Sequence, residues 1–190
     1  MTPSFEIKGR ALVTTLRLVE RDVPGGLATL GLEDPDRAHF EGIFLASSWY
    51  PLAPYLRLVE RLAALQRRPL REWMRDQARR TARLDVEKRD RAALAARDPE
   101  DMARRLPRAF NRYFRPTHAA LESVGPGEAR FVLVRVPADH RDFFLGSNDG
   151  FCAGAFAELG RRARLEYLPE RPESTRGSVP TLTIPFVLRW

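Results

Sequence analysis

Thr117-His118-Ala119-Ala120-Leu121-Glu122-Ser123-Val124-Gly125-Pro126-Gly127-Glu128-Ala129-Arg130-Phe131-Val132-Leu133-Val134-Arg135-Val136 is the stretch that decides the class of fold. A Gly-Pro-Gly turn separates the segment from Thr117 to Val124 from the run Ala129 to Val136, which is rich in β-branched residues, and the pattern reads as an antiparallel hairpin. Upstream of it every strong periodicity is helical. Leu12, Val13, Leu16 and Val19 recur at helical spacing between Lys8 and Asp22, and Pro24-Gly25-Gly26 ends that helix. A short helix is expected over Leu27 to Leu32, with a turn starting at Asp34-Pro35. The next helix carries Pro51 and Pro54 in its first turn, where proline costs little, and presents Leu52, Tyr55, Leu56, Val59 and Leu62 as one stripe.

Beyond Pro69, residues Leu70 to Ala96 predict a long Arg-rich helix with a thin apolar face of Trp73, Met74, Ala78, Leu84 and Leu94. Asp98-Pro99-Glu100-Asp101 is a helix start, with Asp98 as cap and acids facing the dipole, and the helix should turn Met102, Leu106, Phe110 and Tyr113 inward, with Pro107 as the place for a kink. Downstream of the hairpin, Arg141 to Gly160 returns to helix and buries Phe144, Phe151, Cys152, Ala155, Phe156 and Leu159. A strand over Arg164 to Leu168, a loop from Pro169 to Ser178 and an apolar strand from Val179 to Trp190 close the chain. The expectation is one α+β domain over 1–190, a helical N-terminal half packed on a small antiparallel sheet formed by the C-terminal half.

The 190 residues are 44% hydrophobic and 30% charged, a globular composition that excludes disordered and collagenous classes. No apolar run is long enough to span a bilayer, and Met1 to Glu6 lacks the basic and apolar regions of a signal peptide, so no membrane insertion and a cytoplasmic location are expected. The single cysteine, Cys152, cannot form an internal disulfide. The net charge of +7 comes from the middle of the chain: Arg57 to Arg115 holds 18 basic and 9 acidic residues. Because 30 of the 32 basic residues are arginine, the high pI reflects a GC-rich coding bias as much as selection for phosphate contacts.

Candidate chemistry is sparse. His39, His118 and His140 fall in different elements without zinc-ligand spacing, so no metal is expected. Asp139-His140 has no serine in an elbow context to complete a triad, since Ser47, Ser48 and Ser147 all lack the flanking glycines, and no catalytic residue is assigned. Gly25-Gly26 and Gly125-Pro126-Gly127 are too short for phosphate loops. Gly146, Gly150 and Gly154 form a smooth strip on one helix face, suited to a second helix or the sheet and, as the sharper alternative, to a ligand or a dimer interface. The basic stripe Arg67 to Arg91 is the nucleic-acid candidate, but its interspersed acids and single aromatic, Trp73, fit a solvated face better.

Phe5-x-x-Lys8-Gly9-x-Ala11-Leu12, the block Trp49-Tyr50-Pro51-Leu52-x-x-Tyr55, Phe110-x-x-Tyr113, Gly125-x-Gly127 before a strand and an apolar strand ending in Trp190 together resemble a family of uncharacterised myxobacterial proteins. That family is distantly similar to the haem-dependent nitric-oxide-sensing domains and to vinyl-reductase-like and transport-particle-like domains. The resemblance implies helices against an antiparallel sheet, holding a small apolar ligand or a dimer partner. The haem sensors use an axial histidine on a middle helix and a Tyr-x-Ser-x-Arg signature between a strand and the following helix. Here Leu52 to Arg115 contains no histidine and the strand exit reads Val134-Arg135-Val136-Pro137-Ala138-Asp139-His140-Arg141, so no cofactor is expected. The resulting expectation is a non-enzymatic regulatory module: either it binds a small apolar ligand between helices and sheet, at Phe44, Trp49, Tyr55, Phe110, Phe144, Phe151 and Phe156, or it is a dimeric protein-interaction adaptor. Nucleic-acid binding through residues 57–115 is the alternative.

Overall fold

A three-residue strand that no periodicity announces begins the regular structure: β1 (Glu6–Lys8) runs straight into α1 (Gly9–Asp22). The computed structural model describes residues 4–85, 95–173 and 179–190. Contacts divide the chain into two compact units, one comprising the chain up to Leu70 with Tyr113–Pro116, the other Arg71–Arg112 with Thr117–Trp190. In the first, a 3₁₀ turn (Gly26–Thr29), α2 (Asp34–Phe40), β2 (Trp49–Pro51) and α3 (Leu52–Leu65) follow α1, and β3 (Phe114–Arg115) joins from later in the chain. The three short strands pair antiparallel in the order β2-β1-β3, so strand is present in the half of the chain expected to be purely helical. Strands of two or three residues are too short to show a period of two, which is why they escape sequence reading. The buried stripe of α3 is as expected: Leu52, Tyr55, Leu56, Val59 and Leu62 all lie in the core.

The start of α1 shows why Gly9 stands there. The amides of Gly9 and Arg10, which have no partner inside the helix, donate to the carbonyls of Ser48 (2.9 Å) and Ala46 (3.1 Å) on the loop before β2. That close approach leaves no room for a side chain, since a Cβ on Gly9 would sit 2.7 Å from the Tyr50 ring.

In the other unit, α4 (described over Leu70–Leu84) precedes α5 (Pro99–Phe110), the hairpin β4 (His118–Gly125) and β5 (Glu128–Pro137), α6 (Arg141–Ala157), and strands β6 (Arg164–Tyr167), β7 (Arg171–Glu173) and β8 (Thr181–Arg189). The architecture is α+β. Asp98 caps α5 as expected, its carboxylate accepting from the Asp101 amide at 2.7 Å, while Tyr113 falls beyond the helix end. Leu94 lies outside the described residues. The hairpin turns where the glycines place it, with Gly127 at φ +77°, a conformation that favours glycine. The sheet order is β4-β5-β8-β6, all antiparallel, with β7 also on β8, so the loop expected from Pro169 to Ser178 contains a strand. One face of this sheet is aligned by register: Phe131 opposes Phe186, which opposes Tyr167, and Leu133 opposes Ile184. The Asn111 side chain covers the outer edge of β4, donating to the Ala119 carbonyl (3.0 Å) and accepting from its amide (2.7 Å).

α6 is apolar almost all round, which marks a helix enclosed on several sides. Its glycine strip lies on α4: a Cβ on Gly146 would meet Met74 Cβ at 2.9 Å, on Gly150 Ala78 Cβ at 2.9 Å, and on Gly154 Ala82 Cβ at 2.8 Å. Of the possible occupants of that strip, a second helix of the same chain is the one present. Among the described residues no helix is long and apolar enough to cross a membrane.

Candidate functional site

Where α5 and α6 face the sheet, the packing leaves a small, partly open space. α5 lines it with Leu106, Pro107 and Phe110, the sheet with Ala119, Phe131 and Phe186, and α6 with Asn148, Phe151 and Cys152. Its volume is about 10 Å³. Phe131 and Phe186 form the floor as a stacked pair, ring centroids 5.1 Å apart and nearly parallel at 11°. Seven of the nine lining residues are apolar, so the polar character of the space comes from Asn148 and Cys152.

Those two are tied into a hydrogen-bonded chain. The Cys152 thiol contacts Asn148 Oδ1 at 3.7 Å, Asn148 Nδ2 donates to the Tyr167 hydroxyl at 3.2 Å, and that hydroxyl donates to Asp149 Oδ1 at 2.7 Å. Asp149 Oδ2 accepts from Arg71 on α4, from Nε at 3.1 Å and Nη2 at 2.9 Å, and the guanidinium also lies 5.3 Å from the Tyr167 ring centroid. The chain thus joins the wall of the space to β6 and α4.

The same surroundings hold two acids protonated. Burial first, and then the charge of Asp149, push both the Cys152 thiol and the Tyr167 phenol above their ordinary values. Because the folded values are raised, the stabilisation is complete below the unfolded values of about 8.5 and 10 and is lost as pH climbs above them. Urea unfolding between pH 8 and 11 is expected to show stability falling by up to about 1.4 kcal/mol per pH unit for each group. Cys152→Ala should remove the part that begins near pH 8.5; an unchanged profile in that variant would contradict the assignment.

The seven aromatics named from sequence do not share one setting. Phe110 and Phe151 line the small space. Phe144 and Phe156 are fully buried, Phe144 edge-on to Phe143 and Phe156 beside Trp190 at 5.2 Å. Phe44, Trp49 and Tyr55 belong to the other unit. Tyr55 is buried with its hydroxyl 3.1 Å from Thr15 Oγ1, and Phe44 packs edge-on to Tyr50 at 4.9 Å. The Trp49 ring has the Lys8 ammonium and the Arg115 guanidinium each 4.5 Å from its centroid. Sequence reading missed Ala119, Phe131, Asn148 and Phe186, because the meeting of residues 119, 131 and 186 depends on strand register.

Two other features lie apart from this space. A cleft of about 310 Å³ between α2 and α3 is lined by charges of both signs, with buried Asp36 held by Arg57 through both carboxylate oxygens. In the Arg-rich region, Arg57, Arg71, Arg75, Arg83, Arg105 and Arg115 each have a carboxylate within 4 Å. That mixture is what a solvated, ion-paired surface shows.

No protein-family model and no curated protein matches the chain. Solved structures do. An H-NOX protein from K. algicida in its Fe(II) unliganded form is 14% identical, with 96% of each chain covered and a TM-score of 0.64. The chain has the H-NOX fold. A mutant H-NOX of T. Tengcongensis gives 14% identity over 96% of this chain and 97% of that one, TM-score 0.65. A third structure, from work on haem redox potential and porphyrin distortion, gives 14% identity over 97% and 100%, TM-score 0.64. The similarity to the haem sensors implied by the sequence motifs therefore holds at the level of the fold.

The donor set of this H-NOX fold does not fit haem held in the manner of those sensors. The inward face of α5 carries Met102, Ala103, Leu106 and Phe110 and no histidine. The strand exit Val134-Arg135-Val136-Pro137-Ala138-Asp139-His140-Arg141 carries no Tyr-x-Ser-x-Arg, and within β5 the residues turned to the core, Phe131 and Leu133, are buried and apolar. Arg135 is exposed, at a bulge with φ +58°, and its amide donates to Glu173 Oε1 at 3.2 Å. His39 Nε2 is a buried imidazole nitrogen without a hydrogen-bond partner, but it has no accessible surface and its ring is enclosed by Phe40 (5.2 Å) and Phe44 (5.4 Å). Among the described residues no cluster of three His, Cys, Asp or Glu is placed to hold a metal ion.

Proposed function

We propose that this chain is a non-enzymatic regulatory module that responds to a small apolar ligand held between α5, α6 and the sheet. What carries the reading is the coincidence of an H-NOX fold over nearly the whole chain with a small, aromatic-lined space at the helix–sheet junction. Aromatic walls supply a large apolar surface with few polar demands, the usual lining of a site for an uncharged ligand. The chain from Asn148 through Tyr167 and Asp149 to Arg71 gives an occupant a mechanical connection from the wall to α4.

The test is thermal unfolding of the purified protein equilibrated with a panel of uncharged apolar molecules, from dissolved gases to benzene. A ligand that binds only the folded state stabilises by about 2.7 kcal/mol at a hundred times its dissociation constant. A dose-dependent rise in Tm for at least one member is expected, and no rise for any member would remove the reading. An absorption spectrum after incubation with hemin accompanies it. A stoichiometric Soret band would show that haem finds a ligand here and would overturn the conclusion drawn from the donor set.

A further inference from the structure

We draw no further inference here: the strongest candidate, the cleft of about 310 Å³ between α2 and α3, carries nothing, because its buried charge, Asp36, is already held through both carboxylate oxygens by Arg57, and Glu33 and Glu60 beside it are exposed acids with nothing in the structure to show what they would bind.

Discussion

Gly150→Ala is expected to destabilise the protein by about 3 kcal/mol, even though alanine is the better helix former by about 1 kcal/mol. The added methyl would lie 2.8 Å from the Arg75 carbonyl carbon and closer still to its oxygen, and 2.9 Å from Ala78 Cβ. These are backbone and Cβ atoms of α4, which cannot rotate aside as the end of a long side chain could. Relief requires the two helices to separate, and separation exposes Trp73 and Met74, both buried on α4. Gly125→Ala is the matched control, because a methyl added there would meet no atom within 4 Å and the φ of Gly125 is not positive, so its cost should stay within about 0.5 kcal/mol. Urea unfolding of the two variants checks the contrast. Equal midpoints would mean that the strip does not bear on α4.

Phe186→Ala is expected to cost about 3–5 kcal/mol, the transfer free energy of a buried ring plus the cavity it leaves. Phe186 stacks on Phe131 and packs against Tyr167 at 5.7 Å, so its removal opens the floor of the small space and takes a neighbour from each of those two rings. The variant also makes a second, opposite prediction. A hole of phenyl size next to the existing space should now admit benzene, which the wild-type site excludes, and benzene should restore part of the lost stability through linkage. Denaturant unfolding with and without benzene reads both effects. A loss below about 1 kcal/mol would show that Phe186 is not a packed part of this wall.

The sequence by itself determined the elements whose signals are local. The stripe of α3, the Asp98 cap of α5, the Gly125-Pro126-Gly127 turn and the apolar α6 depend on residues within a few positions of one another, and the helical or strand period carries them. The absence of histidine between Leu52 and Arg115 was equally plain from the residues alone. Tertiary structure decided the rest, because it depends on which distant segments meet. β1, β2 and β3 have too few residues to show a pattern and exist only as partners of one another. Gly146, Gly150 and Gly154 were legible as a smooth strip, but a missing side chain does not say what fills the gap, and only the fold puts α4 there. Phe110 and Phe151 could be named as apolar candidates, yet their convergence with Ala119, Phe131 and Phe186 is set by the antiparallel register of β4, β5 and β8. Register is a property of pairing, and a single residue of slip would turn each of those side chains to the opposite face.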